Sequence, residues 1–177
     1  MHLAEHVQLM AQYNESMNVK IYETAATLLA EELSRNKGAF FGSVIGTLNH
    51  IAVGDIIWLK RFAVLLQRHH ELDVVRAMDQ PQSLDSVLCS TLPELYECRK
   101  VLDETIIKLA GSLSEAELCL IFNYTNSKGV TANKKLFSVL MHFFNHQTHH
   151  RGQVTTLLSQ FGRDVGVTDL VAIIPNV

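Results

Sequence analysis

Cysteines, long apolar runs and basic clusters are scarce in this sequence, and each absence excludes a class of protein. There are only three cysteines among 177 residues, and none of them forms a Cys-x-x-Cys pair. An odd, dispersed set of thiols is typical of reduced cysteines in a cytosolic protein rather than of a disulfide framework. No apolar stretch approaches the roughly 20 residues of a membrane span, and the chain does not begin with a basic segment followed by an apolar run. We therefore expect a cytoplasmic protein without a membrane partner.

The charge of the chain is too small and too dispersed to indicate a nucleic-acid partner. The formal net charge is -3 and the pI is near 6.3. Proteins that bind a phosphate backbone have a basic patch or stripe, which this sequence lacks. It also lacks a Gly-x-Ser-x-Gly elbow, a Walker loop and a dinucleotide fingerprint, which excludes the commoner catalytic sites that have a local motif.

Proline is rare as well, with three in the chain, and apolar residues recur at helical spacing. This pattern predicts an all-α protein, a four-helix bundle with a short β-hairpin inserted before the last long helix. The predicted helices cover residues 3–33, about 41–67, 93–110 and about 133–160, and the hairpin covers residues 120–131 with its turn at 126–129. Pro93 suits a first helical position, and Ser114 and Glu117 have the spacing of a capping box. The length and the 47% apolar content suit a single domain over residues 1–177.

Two histidines in the last predicted helix have the spacing of metal ligands. His146 and His150 stand four residues apart, which places their Cβ atoms about 5–6 Å apart on one face of a helix. Both interrupt the apolar stripe of this helix, whereas His142 and His149 lie about 100° or more from its centre. Two buried imidazoles without partners would be costly, so half of a metal site is as good an interpretation as ordinary core histidines.

His50 is the best candidate for a third ligand, because two imidazoles alone make a poorly defined site. It lies midway along the second predicted helix, and the residues one turn before and after it, Gly46 and Gly54, are both glycine. Each glycine costs a helix roughly 1 kcal/mol relative to alanine, which indicates that space beside this imidazole is needed. A cavity around a metal and close helix packing explain that space equally well. The remaining histidines at predicted helix ends are interpreted as surface residues: His2, His6, His69 and His70.

Two other kinds of metal site fit the sequence poorly. His146 and His150 have the outer spacing of the zincin motif His-Glu-x-x-His, but Gln147 stands where the glutamate base is needed. Di-iron carboxylate bundles require a Glu-x-x-His pair on each of two helices, and the chain has no matching pairs. Neither a metalloprotease of that type nor a dinuclear oxygenase is expected.

Two separated segments of the sequence resemble a single protein family. Residues 40–59, which contain Gly46-Thr-Leu-Asn-His50-Ile-Ala-Val-Gly54, and residues 144–153, which contain His146-Gln-Thr-His149-His150-Arg-Gly-Gln153, closely resemble the DinB/YfiT family of proposed metalloenzymes. The family is named after DNA-damage-inducible bacterial proteins and is unrelated to the DNA polymerase that shares the name. The resemblance covers essentially the whole chain, and it is specific because both motifs agree in order and spacing.

The resemblance implies an up-down-down-up four-helix bundle, often a homodimer, that binds one divalent metal ion through three histidines. Carried onto this sequence, the ligands are His50, His146 and His150. The metal would be zinc or nickel, although imidazole ligands suit several first-row ions. Three protein ligands leave a position for a water or a thiolate, so the expected function is a metal-dependent hydrolase or low-molecular-weight-thiol transferase with a small-molecule substrate.

The alternative is a non-catalytic metal-binding protein of the stress response, which acts through a partner or by sequestering the ion. A fourth side chain that closes the site, such as His142 or His149, would favour this alternative. An open position on the ion would favour an enzyme, and the sequence leaves both functions open.

Five residues near the proposed ligands are candidates for supporting or substrate-binding roles. Asn49 and Gln153 could hydrogen-bond a ring nitrogen or a substrate, and Arg151 could meet an anionic group. Asp55 could place an acid near the pocket and Trp58 an aromatic wall. Packing in the core or a place on the surface explains each of them at least as well.

Overall fold

Four long helices form the frame of the molecule in the computed structural model, which describes residues 2–125 and 129–176. In chain order the helices are α1 (Leu3–Ala25), α2 (Ala30–Ser34), α3 (Val44–Leu65), α4 (Asp73–Ala77), α5 (Leu92–Ser112), α6 (Glu115–Leu118) and α7 (Leu136–Ser159), with 3-10 turns at His70–Leu72 and Leu170–Ile173. The long helices α1, α3, α5 and α7 pack around an apolar core, which confirms the predicted all-α bundle. In the described part of the chain, no helix is both long and apolar enough to cross a membrane.

Contacts between the long helices establish their directions. Three sets of side-chain contacts are informative. The first joins α1 to α5, through Tyr22 with Tyr96 and Asn14 with Asp103. The second joins α3 to α7, through His50 with His150 and Trp58 with His142, and the third joins α1 to α7, through His6 with Phe137 and Asn14 with Arg151. The first two sets show that α1 is antiparallel to α5 and that α3 is antiparallel to α7. The third shows that α1 and α7 are parallel. The bundle is therefore up-down-down-up, as the family resemblance implied.

The first predicted helix, much of residues 3–33, is broken at residues 26–29. The helix α1 ends at Ala25, and the chain turns before α2 begins at Ala30. No glycine or proline marks this break. The amide of Leu28 bonds the carbonyl of Ala25, and the Leu28 side chain turns into the core, where it is 7% exposed. Burial of this leucine outweighs the helix propensity of the segment.

The hairpin before the last long helix is present, but its second strand is longer than predicted. The strands β1 (Ile121–Thr125) and β2 (Thr131–Lys135) form an antiparallel ladder along their whole length. Residues 133–135, predicted as the start of the last helix, are therefore strand, because cross-strand pairing satisfies their backbone groups. Residues 126–128 of the predicted turn lie outside the described residues.

His69 is buried, although its place at a predicted helix end indicated a surface residue. Its Nδ1 lies 2.8 Å from a carboxylate oxygen of Glu71, and its Nε2 lies 2.8 Å from one of Glu117. The guanidinium of Arg76 donates to the main-chain carbonyl of His69 at 3.0 Å. Burial alone would lower the pKa of His69, but the hydrogen bonds to Glu117 and Glu71 outweigh it and the pKa is raised. This imidazole therefore links the segment before α4 to α6 most strongly when it is protonated.

We expect the stability difference between the wild type and His69→Gln to depend on pH. Because the folded pKa of His69 lies above its unfolded value of about 6.5, the stabilisation is complete below that value and is lost as pH rises through the folded pKa. As pH rises from about 6 to about 9, the free energy of unfolding measured with urea should fall more for the wild type than for the variant. His70→Gln is the control, since its side chain is 86% exposed. If the free energy of unfolding fell equally with pH in the wild type and in His69→Gln, the raised pKa assigned to His69 would be wrong.

Candidate metal centre

Three histidine side chains from two helices converge where α3 packs against α7. Nε2 of His50 lies 3.1 Å from Nε2 of His150 and 3.3 Å from Nε2 of His146. One ring nitrogen from each residue lies within 4.8 Å of the other two. Nitrogens bound to one ion at about 2.0–2.1 Å in a tetrahedral arrangement are about 3.3–3.4 Å apart. The structure thus brings the three predicted residues together in a group that could hold a metal ion.

Hydrogen bonds on the outer side of two rings determine where their lone pairs point. His50 donates from Nδ1 to the carbonyl of Leu84 at 2.7 Å, and His150 donates from Nδ1 to Oε1 of Gln153 at 2.9 Å. A carbonyl oxygen only accepts, so each neutral ring has its proton on Nδ1 and its lone pair on Nε2. Two lone pairs that face each other at 3.1 Å repel unless a cation lies between them. The donor set therefore fits a metal ion.

Burial and mutual proximity keep the three imidazoles neutral. Burial lowers the pKa of His50 and of His150. Burial, together with the neighbouring His150 and His50, lowers the pKa of His146 to about 3. The neutral imidazole is the form that binds a metal, so no proton has to leave these rings at neutral pH before an ion can bind.

The two glycines that flank His50 serve different purposes. A Cβ atom on Gly54 would lie 2.9 Å from Cε1 of His146, closer than side chains normally approach. A Cβ atom on Gly46 would lie 2.3 Å from the main-chain oxygen of Phe41. Gly54 therefore provides space for an imidazole of the site, whereas Gly46 permits close backbone packing at the start of α3. The interpretation as space at the histidine site therefore holds at Gly54, and the interpretation as close packing holds at Gly46.

We expect Gly54→Ala to fold normally and to bind metal more weakly. Alanine favours a helix over glycine by about 1 kcal/mol, and the imidazole of His146 can move aside because it is the far end of a flexible side chain. That movement misaligns its Nε2, so metal affinity measured by calorimetry should fall roughly 10–100-fold, the scale seen when ligand orientation is lost. Gly111→Ala on α5 is the control, since no atom lies within 4 Å of its added Cβ. Unchanged affinity in Gly54→Ala would refute the role given to this glycine.

An aromatic ring covers one side of the group, but it belongs to Phe41 rather than to Trp58. The Phe41 ring stacks on His50 with centroids 3.7 Å apart and lies edge-on to His150 at 5.6 Å. Trp58 packs edge-on against His142 at 5.3 Å. Eight residues at about 100° each turn Trp58 about 80° around α3 from His50, which takes it away from the three rings.

The sequence model of the DinB family matches residues 3–175, nearly the whole chain. The chain belongs to the DinB family. Searches of the curated proteins and of the solved structures return no significant match. The family match agrees with the resemblance seen in the two histidine motifs, and the three-histidine group is compatible with metal binding in a DinB protein.

In this DinB protein Asn49 supports a loop rather than a histidine ring. Its side chain accepts from the amide of Cys89 at 3.1 Å and donates to the carbonyl of the same residue at 3.1 Å. These bonds hold the loop of residues 78–91 against α3. The loop also contains Leu84, whose carbonyl accepts the hydrogen bond from Nδ1 of His50. Asn49 therefore acts on the site through the loop.

Asp55 lies in the core of the DinB bundle rather than beside a pocket. It is fully buried, forms an ion pair with Arg99 and accepts from Nε2 of Gln147 at 2.7 Å. Arg99 also lies 3.0 Å from Asp103. Burial raises the pKa of Asp55 to about 6, although the guanidinium of Arg99 opposes this shift. Because Gln147 lies between the two histidines of α7, its bond to Asp55 holds α3 and α7 in a fixed register.

Arg151 is also buried, and it joins α7 to α1. Its guanidinium donates to Oδ1 of Asn14 and to Oγ1 of Thr148, and it lies 5.5 Å from the ring centroid of Tyr13. Burial lowers the pKa of Arg151 to about 10, so the group remains a cation at neutral pH. In the structure its hydrogen bonds are with these side chains of the bundle, not with an anionic group.

Gln153 lies directly against the three-histidine group. Its Oε1 accepts from His150, and its amide nitrogen lies 3.3 Å from Nε2 of His149. Sequence reasoning missed two other contributors, Phe41 and the carbonyl of Leu84. The aromatic residue just before the start of α3 was a usable signal for the first. A main-chain carbonyl in a loop has no side-chain signature, so nothing in the sequence could reveal the second.

Proposed function

We propose that this DinB protein is a metal-dependent enzyme that acts on a small molecule, by hydrolysis or by transfer of a low-molecular-weight thiol. His50, His146 and His150 would hold one divalent ion. The observation that best supports this role is the pair of Nε2 lone pairs on His50 and His150, which face each other at 3.1 Å and whose repulsion a metal ion between them would relieve. Zinc and nickel are the expected metals because both accept imidazole ligands.

The choice between an enzyme and a metal-sequestering protein depends on whether a fourth side chain completes the site. Within residues 2–125 and 129–176, the group of possible ligands contains the three histidines and no further His, Cys, Asp or Glu. His142 and His149 are both exposed, the first packed against Trp58 and the second beside Gln153. Three protein ligands with an open position are typical of catalytic zinc sites, whereas structural sites have four. This difference favours the enzyme.

The chain itself contributes the alignment of the rings. An ion held in this way supplies Lewis acidity, which lowers the pKa of a water or a thiol that reaches it. The carbonyls of Leu84 and Gln153 keep the protons of His50 and His150 on Nδ1, and Phe41 covers the face of the His50 ring. These contacts aim the Nε2 atoms at one point before an ion arrives, which reduces the cost of ordering them.

The proposal is tested by measuring metal content and turnover in untagged protein. We expect about one zinc or nickel ion per chain, as in a mononuclear three-ligand site. Assays of ester and amide hydrolysis and of thiol conjugation should show an activity that is lost on chelation and restored by the metal. Protein that purifies without metal and does not take it up, or turnover that persists after chelation, would overturn the proposal.

The family resemblance also implies a homodimer, and we propose that two copies of this single domain associate. Light scattering should then give about twice the chain mass of 19.9 kDa. The cytoplasmic location stays a prediction from the sequence.

A further inference from the structure

A groove of about 320 Å³ lies beside the three-histidine group, between α7 and the turn that joins α2 to α3. Its walls include six side chains with distinct chemistry: Lys37, Phe40, His149, Gln153, Thr156 and Gln160. The volume is at the lower end of the roughly 300–1,000 Å³ found for small-molecule sites. The groove mixes an aromatic ring, amides, a hydroxyl and one ammonium group, so it suits a ligand with both an apolar and a polar part.

The turn that forms one wall of the groove is preorganised. The amide of Lys37 bonds the carbonyl of Gly42 at 2.8 Å, and the amide of Gly42 bonds the carbonyl of Ala39 at 2.8 Å. Gly38 and Gly42 have φ values of 77° and 74°, a backbone conformation that favours glycine. The turn holds Phe40 at its tip, where this residue is 86% exposed. A large apolar ring held in solvent by a rigid turn is available for contact with a ligand.

The charge of the groove is positive. Among the described residues, no carboxylate lies within ion-pair distance of Lys37, whose Nζ lies 4.5 Å from the ring centroid of Phe161. The residues of the described ranges that line the groove include no aspartate or glutamate. An anion that enters would therefore meet an ammonium group and no opposing charge.

Two chains of contacts connect the groove to the histidines. Phe40 lies edge-on to Phe41 at 4.9 Å, and Phe41 stacks on His50. On the other side Gln153 lines the groove and accepts from Nδ1 of His150. A molecule in the groove would therefore touch Gln153, which contacts the His150 ring, and Phe40, which is linked to the His50 ring through Phe41.

We propose that this groove binds a small organic anion with a flat apolar body, such as an aromatic carboxylate. The carboxylate would lie near Lys37 and accept from the side-chain amide of Gln160, and the apolar body would pack against Phe40. As a substrate site the groove rests on the proposed function, because the bound molecule would lie beside the metal centre. Binding as such requires no metal, so it can be tested separately.

The test uses benzoate as the probe and chelator-treated, full-length protein, so that the carboxylate cannot coordinate a metal. Titration followed by 1H-15N NMR should give saturable shifts in residues 37–42 and 149–160. Benzamide, the neutral analogue of similar shape, should bind about tenfold more weakly, because it lacks the charge-assisted hydrogen bond. Shifts that do not saturate, or that appear instead around a second, largely apolar groove lined by Tyr22, Ala26, Leu92, Pro93 and Tyr96, would overturn the proposal.

Two variants locate the site. Lys37→Met removes the charge and keeps an apolar stem, so it should weaken benzoate and leave benzamide unchanged. Gly152→Leu should abolish the binding of both, since Gly152 lines the groove and no atom lies within 4 Å of an added Cβ. Gly111→Leu and Lys108→Met are the matched controls: the first is a helical glycine with equally open surroundings, and the second is an exposed lysine on α5.

The outcomes separate the groove from the metal centre. Benzoate affinity that is the same in the wild type, Lys37→Met and Gly152→Leu would refute the groove, whatever the metal content of the protein. Saturable binding that both variants weaken would support it, even in a protein that fails to bind zinc or nickel. That last result would remove the proposed metal-dependent function and leave an anion-binding DinB protein.

Discussion

His150→Ala is expected to purify without stoichiometric metal and to have no metal-dependent turnover. The substitution removes one of three nitrogens that converge within 4.8 Å, and two imidazoles make a poorly defined site. The loss of affinity should exceed the roughly 10–100-fold that follows loss of a ligand's hydrogen-bonding partner. Elemental analysis and calorimetric titration of zinc and nickel into chelated protein measure the effect. His50→Ala should behave in the same way.

His149→Ala provides the matched control, because it removes the adjacent imidazole from the same helix. His149 is exposed, and its Nε2 lies beside the amide of Gln153 rather than among the converging nitrogens. This variant should keep its metal, with at most a small change in affinity through Gln153. Wild-type metal content in His150→Ala would show that the ion binds elsewhere, and equal losses in both variants would contradict the assignment of His150, rather than His149, as a ligand.

Arg99→Met is expected to destabilise the fold by about 3–5 kcal/mol, the usual cost of removing one partner of a buried ion pair. Arg99 is 1% exposed and lies between Asp55 and Asp103, which are themselves buried. Methionine has a similar stem but leaves both carboxylates without their ion-pair partner. Urea unfolding followed by circular dichroism measures the difference in the free energy of unfolding.

The effect of Arg99→Met should increase with pH. Burial already raises the pKa of Asp55 to about 6, and Arg99 is the neighbour that opposes this shift most strongly, so the pKa should rise further in the variant. A carboxyl group whose folded pKa is raised stabilises the fold when protonated, and this contribution is lost as pH rises through the folded pKa. The variant should therefore be closer to the wild type at about pH 5 than at about pH 8.

Lys108→Met is the control for Arg99→Met, because Lys108 forms an ion pair with Glu104 at the same four-residue spacing on α5. Both side chains of that pair are more than half exposed. Such pairs contribute about 0.3–0.5 kcal/mol. A loss as small as this in Arg99→Met would mean that the buried carboxylates find other partners.

The three converging histidines could be predicted because their signals are local. The four-residue spacing of His146 and His150 and the apolar stripe they interrupt are properties of one helix, and the glycines beside His50 lie on another. Helical periodicity indicates which face of each helix is buried. It does not indicate which helices are neighbours. Only the family resemblance predicted that α3 and α7 bring their histidines together, and the structure then showed it.

The contacts that support the site could not be predicted, because they come from a loop and from main-chain atoms. Leu84 and Cys89 contribute a carbonyl and an amide from a segment without periodicity. Arg99 was missed for another reason. An arginine on an amphipathic helix normally indicates a solvated face, and only the packing of α5 against α3 places it beside Asp55.

The end of the first helix was mispredicted because local and tertiary preferences disagree there. The sequence after Ala25 has no residue that ends a helix, and only the burial of Leu28 explains the turn. The start of α7 was mispredicted for a related reason. Residues 133–135 suit a helix locally, but they pair with the preceding strand.

All three imidazoles come from a single antiparallel helix pair, and neither α1 nor α5 contributes one. The other half of the bundle can therefore diverge freely in its outward surface, provided that it still presents the guanidinium and the asparagines that the polar core requires. This arrangement makes the pair of α3 and α7 a transferable unit, provided that Phe41 and the loop that contains Leu84 stay beside it. A designer who keeps these segments and the register of the pair and changes the two remaining long helices should obtain new surfaces and new partners around an unaltered three-histidine group.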